Sequence, residues 1–449
     1  FVAKPFGSLE FYNCTNEANI IGLRNVAGIV GYNSDGHGIK LEACVNRGNI
    51  TSLQGTYTIS GKSDKHNWFD SIDSAYGTSN IGFNSGTGGI IGAYTGNITI
   101  ESCRNAGAII GGHNVGGIIG LHDGTSSAKA TLTIQNCANT GNVTSNSGYW
   151  GEDEGGVKGA NSEGIRQNIF GYVGGLVGVT GQYSILKMYA SYNTGDILTL
   201  SNIIGGLVGS VGVLYQPKNT WGRYDNNVKT GGRSQIAYCY NIGNITAGGT
   251  FPKITEAWDI GRENYGGTIS GGFVGLAGDL QISQGYNTGN ITNYGHISYS
   301  FSWQVRAGGI IGQSEPVTES GYTGYVLFDN LYNVGTIYVK PIDYSVASGH
   351  TVKNNLRYGA AISGYCDVSG RSDRIKSSDC YSINNCVSSL CAVQNGTDYA
   401  YYKNKQNSWN PEVRDQWYQN EGVAGIGETK VNLLETGRVY NTYDSLTAA

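Results

Sequence analysis

No stretch of this sequence approaches the roughly 20 apolar residues that a membrane-spanning helix needs, so insertion into a bilayer by helices is not expected. Charge is scarce: Asp, Glu, Lys and Arg make up 14% of the chain and the net charge is -4, which argues against electrostatic binding to nucleic acid or to membrane surfaces. There is no His-Glu-x-x-His, and His37, His66, His113, His122, His296 and His350 are isolated, which removes zinc-peptidase chemistry. Gly-x-Ser-x-Gly and Cys-x-x-Cys are absent too, so neither a serine-nucleophile elbow nor a zinc knuckle is expected. The reading carries no cofactor, no metal and no catalytic residue. Phe1 to Asn16 lacks the basic start and apolar core of a signal peptide. A signal peptide and an anchoring region are expected to lie outside this stretch.

Glycine, by contrast, is abundant at 71 residues without any collagen period, so the excess belongs to turns and closely packed corners. Its placement is ordered. One element, an Asn-x-Gly step, recurs as CVNRGNI from Cys44, CRNAGAI from Cys103, CANTGNV from Cys137, SYNTGDI from Ser191, CYNIGNI from Cys239, GYNTGNI from Gly285 and LYNVGTI from Leu331, with a weaker CTNEANI from Cys14. The other recurs as AGIVG from Ala27, GGIIG from Gly88, Gly116 and Gly308, GGLVG from Gly174 and Gly205, GGFVG from Gly271 and, eroded, AAISG from Ala360. The two alternate strictly. A period of roughly 25 to 60 residues with variable inserts marks a solenoid, whose repeats bury their apolar faces only against neighbours.

Segments such as ATLTIQNC from Ala130 and GNITIESC from Gly96 alternate with period two and are rich in β-branched residues, so the unit is β. Asn and Gly at fixed corners are expected to supply left-handed backbone, and the stacked Asn46, Asn105, Asn139, Asn193, Asn241, Asn287 and Asn333 to form an amide ladder. The expectation is an all-β, right-handed parallel β-helix: a three-sided solenoid of about eight rungs, roughly 40 Å tall at the strand spacing. It would occupy residues 1–397. Residues 398–449, where the repeat stops, would form a C-terminal capping segment, with a helix start at Asn410-Pro411-Glu412 and a short amphipathic turn in TKVNLLETGRVYNTY.

With these two alternating elements, over roughly residues 10 to 390, the chain resembles the bacterial GLUG-repeat family. The resemblance implies a parallel β-helix from a large secreted or wall-attached bacterial protein, hence an extracellular or cell-surface location. It implies no particular activity.

Cys14, Cys44, Cys103, Cys137, Cys239 and Cys380 share one repeat position with Ser191, Gly285 and Leu331, which reads as a small buried slot holding free thiols; neighbouring-rung disulfides stay open, within reach at the strand spacing. A bridge is more plausible among Cys366, Cys386 and Cys391. Inserts at Ser52–Ser85, Ser145–Tyr172, Ala247–Ile269, Asn293–Ala307 and Lys340–Tyr358 all follow the Gly-Asn-Ile-Thr strand, so they leave along one edge of the coil. A separate insert, Ser210–Gln235, belongs to the other corner, read as the less functional one. The edge inserts carry Trp68, Trp150, Trp258 and Trp303, with Tyr149, Arg262 and Arg306 as polar neighbours, a composition suited to stacking on sugar rings and reading hydroxyls. The expected function is a non-catalytic stalk or adhesin binding glycan or glycoprotein through this edge. The alternatives are a polysaccharide-cleaving enzyme using insert acids such as Asp64, Asp70, Glu152, Asp153, Glu256 or Asp259, and a structural, self-associating filament subunit. Asn-x-Thr triplets at Asn97 and Asn244 are read as products of the repeat rather than as glycosylation sites.

Overall fold

Every second residue of Ala130–Gln135 is buried, and the same alternation runs through Ile39–Glu42 and Ile98–Glu101. This is the pattern of a strand with one face on a core and the other on solvent. A computed structural model of the chain describes residues 2, 7–33, 38–52, 85–112, 114–125, 127–145, 171–181, 183–199, 203–212, 216–217, 224–225, 232–247, 269–293, 304–316, 318–319, 322–333, 335–339, 356–360, 363–366, 375–378, 381–382, 431–435 and 438–443. Among the described residues there is no helix, and antiparallel pairing is confined to three short hairpins.

The first turn of the coil consists of β1 (Leu9–Tyr12), β2 (Thr15–Asn16), β3 (Ile20–Gly22), β4 (Val26–Ala27) and β5 (Val30–Asn33). Each segment pairs in parallel with its counterpart in the next turn, which gives five ladders, numbered here 1 to 5 after the strand that begins each. Ladders 1 and 2 share one sheet, because Leu280–Asn287 and Val326–Asn333 run through both; ladders 3, 4 and 5 each form an eight-stranded sheet. The described residues therefore form a parallel β-helix with eight full rungs. Its rung is more divided than three strands: the Gly-Gly-apolar element bends into two segments, as in Asn114–Gly116 and Ile119–Asp123, and the strand leading to the Asn breaks, as in Ala130–Gln135 and Ala138–Asn139.

The break between ladders 1 and 2 has a local cause. Asn13, Ala43, Ser102, Asn136, Ala190, Tyr238, Gln284 and Asn330 all have φ between 45° and 56°, the left-handed region. They precede the cysteine slot; the ladder asparagines do not take this conformation, which corrects the expectation for the Asn corner. A non-glycine residue here costs roughly 1–2 kcal/mol, offset by bonds that recur on every rung. The amides of Ala43, Ser102 and Asn136 donate to the next rung's carbonyls at 2.9, 2.9 and 3.1 Å. The slot residue then ties down the bend: the thiols of Cys103, Cys137 and Cys239 donate to the carbonyl two residues back at 3.3, 3.3 and 3.2 Å, and Ser191 does the same at 2.8 Å. Cys14, Cys44, Cys103, Cys137 and Cys239 are free thiols. In the seventh rung Gly285 takes the slot because Phe273 fills it; a Cβ there would lie 2.8 Å from the Phe273 ring.

The repeated glycines serve close approach rather than positive φ. A Cβ on Gly116, in ladder 4, would overlap the Ile119 carbonyl and lie 2.6 Å from Gly178 N, so ladders 4 and 5 pack back to back more closely than the usual ~10 Å between stacked sheets. At the tip of this arch, a Cβ on Gly89 would overlap the Gly117 carbonyl and come within 2.5 Å of Asn105 Oδ1. The arch thus drives its Gly-Gly tip against the asparagine of ladder 2. On either side lie the apolar clusters: Ile98, Ile100, Ile118 and Ile119 with their stacked equivalents between ladders 1 and 5, and Ile109 and Val115 with theirs between ladders 3 and 4.

The asparagines form the expected ladder. Asn16, Asn46, Asn105, Asn139, Asn193, Asn241 and Asn287 each donate Nδ2 to the Oδ1 of the next rung's asparagine at 2.7–2.8 Å. The other amide proton goes to the carbonyl two residues on, as from Asn105 to Gly107 at 2.8 Å. All from Asn46 to Asn333 are fully buried. A second, exposed row follows the Gly-Asn-Ile-Thr position, where the side-chain oxygens of Asn19, Asn49, Asn142, Asp196, Asn244 and Asn290 accept the next rung's backbone N–H at 2.8–3.1 Å. Stacking thus accounts for the asparagine in these Asn-x-Thr triplets. Of the C-terminal segment, Val431–Glu435 and Arg438–Tyr443 pair as an antiparallel hairpin in place of the expected amphipathic turn, two runs containing Val431, Leu433, Val439 and Tyr440 lying on either side of a Thr-Gly step in the sequence; the expected helix start at Asn410 and the cysteines Cys380, Cys386 and Cys391 lie outside the described residues.

Two substitutions test this frame by urea unfolding. Asn193→Ala takes the acceptor from one proton of Asn139 Nδ2 and the donor from Asn241 Oδ1, both buried, and is expected to cost about 2–4 kcal/mol, whereas Asn16→Ala, at the ladder's end, removes only the donor to Asn46 Oδ1 and costs less than about 1.5 kcal/mol. Equal losses at the two positions would show that the ladder is not the constraint. Gly175→Ala, whose Cβ would overlap the Gly206 carbonyl and the Asn193 side chain, is expected to abolish soluble, strand-rich protein, while Gly38→Ala, with open space, stays within about 0.5 kcal/mol of the parent.

Candidate functional site

With the inward positions committed to the core, function falls to the outward ones. On ladder 1 the outward residues are Glu10, Lys40, Thr99 and Thr133 in one cross-rung row and Tyr12, Glu42, Glu101 and Gln135 in the next. Lys40 Nζ lies 2.7 Å from Glu42 Oε2 and 5.3 Å from the Tyr12 ring centre, and the Tyr12 hydroxyl donates to Glu10 at 2.5 Å. The Glu10 carboxylate on this hydroxyl raises the Tyr12 pKa, and the Glu42 carboxylate raises that of Lys40. This charged patch escaped the sequence reading, which placed candidate acids only in the inserts. The signal was present: Glu42 and Glu101 both stand two residues before the slot cysteine, an outward position by the strand alternation.

Further along the same sheet the surface changes. Tyr192, Tyr240 and Tyr286 stack with ring centres 4.7 and 5.0 Å apart and planes within 3° of parallel. Neighbouring faces cover each other and Tyr240 and Tyr286 are buried, so this stack stiffens the coil, with the half-buried Tyr192 at one end.

A third polar group sits inside the corner between ladders 5 and 1. His122 is wholly buried, its Nδ1 2.5 Å from Ser184 Oγ, its Nε2 2.8 Å from the Gly96 carbonyl, and its ring stacked on Tyr94 at 6.2 Å. A carbonyl only accepts, so Nε2 carries the proton and Nδ1 accepts from the serine hydroxyl. Burial pushes the His122 pKa down to about 4. Because Ser184 is equally buried, the pair fastens the corner and is not an accessible nucleophile. Beside it, burial pushes the Asp123 carboxyl up to about 6, against the N–H groups of Gly124 at 2.8 Å and Tyr183 at 3.2 Å, which favour the charged form.

Of the residues expected to bind ligand, Trp68, Tyr149, Trp150, Trp258, Arg262 and Trp303 lie outside the described residues, as do the insert acids. Arg306 lies in ladder 4, in register with Ile269, and its guanidinium donates to the Gln313 carboxamide, whose own amide donates to Glu315 at 3.1 Å. The strands before and after each edge insert belong to ladders 3 and 4, so all five leave from one junction. The other insert corner is not remote. A Cβ on Gly86, at the entry to ladder 4, would lie 2.7 Å from Leu121 N in ladder 5, so both corners open on one flank of the coil.

Among the described residues no group of three or more His, Cys, Asp or Glu is placed to hold a metal ion, and no helix is long and apolar enough to cross a membrane. The fold and its surfaces define a class, the parallel β-helix built on an internal asparagine ladder. No family model matches the chain, and no curated protein or solved structure is significantly similar to it.

The buried corner makes a signed pH prediction. His122 has a folded pKa below its unfolded value, so its contribution is complete above pH ~6.5 and is lost as pH falls toward 4; Asp123 is shifted up, so its burial penalises folding most above pH ~6 and least near 4. His122→Gln is therefore expected to remove part of the acid-side fall in melting temperature. Asp123→Asn should gain on the parent as pH rises from 4 to 6. Melting curves that run parallel to the parent across pH 4 to 7.5 would contradict both assignments.

Proposed function

We propose that this chain is a non-catalytic, extracellular stalk and adhesive module of the GLUG-repeat kind, set on a bacterial surface and binding glycan or glycoprotein. The observation that supports this best is the uninterrupted eight-rung frame from whose single flank all the large inserts leave. Each rung is locked to the next by the same amide, so the coil holds its inserts at fixed spacing. In the sequence those inserts carry Trp68, Trp150, Trp258 and Trp303 together with Tyr149, Arg262 and Arg306, the residues proposed to make the contact. A polysaccharide-cleaving reading draws on one observation, the in-register pair Glu42 and Glu101 on the outer face of the coil. Glu42 is tied to Lys40, and an open sheet face excludes little water, so this arrangement suits binding better than general acid catalysis.

The test is binding to an array of host and microbial glycans and mucins, with the spent ligand checked for shortened chains. Specific binding of at least one glycan or mucin that is lost when Trp68, Trp150, Trp258 and Trp303 are replaced together by alanine, in a variant with parental circular dichroism, is the expected result. Shortened chains would replace the adhesin by an enzyme. An array without any bound glycan or glycoprotein would remove the adhesive role.

A further inference from the structure

We propose a second glycan site, on the coil itself: a groove across the outer face of the first four rungs of ladder 1 that takes a neutral oligosaccharide. The inference rests on the glycan-binding reading above, but on different residues. A groove of about 420 Å³ runs over this face, lined at successive rungs by Ser8 and Glu10, by Lys40, by Asn97 and Thr99, and by Thr131 and Thr133. It is shallow and open to solvent, which suits a chain lying along it rather than a compact ligand enclosed by it.

Three features select the ligand. Glu10, Lys40, Thr99 and Thr133 are in register, so one polar group is offered at each strand spacing of ~4.8 Å, a repeat that suits a chain of sugar rings. Threonine hydroxyls on a strand are held by a stiff χ1, and Asn97 is oriented by accepting the Thr131 N–H at 2.8 Å, which leaves its amide protons for a ligand. Donors and acceptors are thus ordered before binding, which lowers the entropy lost on association. Finally, the one cation among the described residues of the groove is already paired, Lys40 with Glu42 at 2.7 Å, while Glu10 keeps its negative charge and accepts from the Tyr12 hydroxyl at 2.5 Å. A uronate or phosphate would have to break the Lys40–Glu42 pair to gain a cation. A neutral, hydroxylated chain has no such penalty, and Tyr12, 47% exposed, flanks the groove with an aromatic ring.

The experiment uses the whole chain, titrated calorimetrically with neutral oligosaccharides of glucose and of N-acetylglucosamine and with an acidic oligogalacturonate. Four proteins are compared: the parent, the four-tryptophan alanine variant, Thr99→Arg with Thr133→Arg, and Thr99→Ser with Thr133→Ser. Both positions point outward, so the coil should tolerate them, and the serine pair keeps the hydroxyls. The expected result is binding of a neutral oligosaccharide by the parent, the tryptophan variant and the serine variant, weakened at least about tenfold in the arginine variant and insensitive to added salt. Binding that vanishes with the tryptophans and survives the arginines would overturn the groove while leaving the adhesive edge intact. Preference for oligogalacturonate would also overturn it. Loss of all glycan binding would remove groove and edge together.

Discussion

The buried asparagine ladder is the constraint on which the rest of the rung depends. A primary amide in an apolar interior has two donors and an acceptor to satisfy, and an unsatisfied one costs about 1–3 kcal/mol. Stacking answers most of this, one proton to the next amide and one to the local carbonyl, but only if successive rungs stay in register at a spacing near 2.7 Å between the bonded atoms. The glycines follow from that demand. Asn105 occupies the middle of the coil, and the chain that closes the rung can pass beside it only where Gly89 has no side chain. Aligned amides and the Gly-Gly arch are therefore one device, which explains why the two sequence elements alternate without exception.

This device also explains how unequal residues share a position. The slot before the ladder accepts Cys, Ser, Gly or Leu because its requirement is divided between a bond and a volume. Cys103 and Ser191 meet the bond; Gly285 forgoes it, and Phe273 takes the space. Cys14, Cys44, Cys103 and Cys137 stand in consecutive rungs as free thiols. The close approach of neighbouring thiols and burial raise the pKa values of Cys44 and Cys103, and burial raises that of Cys14, which disfavours the thiolate.

Periodic features were legible in the sequence and induced ones were not. The rung number, the ladder asparagines and the thiol slot repeat at fixed offsets, so they could be read directly. The left-handed residue at each bend could not, because Ala43, Ser102, Tyr238 and Gln284 have no shared chemistry; the conformation is imposed by the ladders on either side. The paired glycines were legible as points of close approach, as Gly116 shows, but the glycine of the Asn-x-Gly corner was read as a source of positive φ when its role is steric too, since a Cβ on Gly107 would overlap the Gly48 carbonyl. His122 looked isolated because its partners Ser184 and Gly96 are distant in sequence and belong to other rungs. The charged face failed for another reason: Glu10, Glu42 and Glu101 were outweighed by the richer acid content of the inserts, although the strand alternation points them outward. The tryptophan edge remains a reading of composition.

Since each rung buries its core only against its neighbours, outward residues are almost decoupled from stability. The sheet of ladders 1 and 2 illustrates the result. Its outer face is charged in the first rungs, with Glu10, Lys40, Glu42 and Glu101, threonine-rich at Thr99, Thr131 and Thr133, and tyrosine-stacked from Tyr192 to Tyr286, while the asparagines beneath do not change. A surface free to vary but held at a constant rung spacing is a ruler on which polar groups are set at regular intervals. Ligands that themselves repeat can engage several such groups without bending, and the rigidity conferred by the amide ladder keeps the spacing constant. That coupling, between a core that cannot change and a face that can, is the physical basis of the proposal that the coil takes part in recognition alongside its inserts.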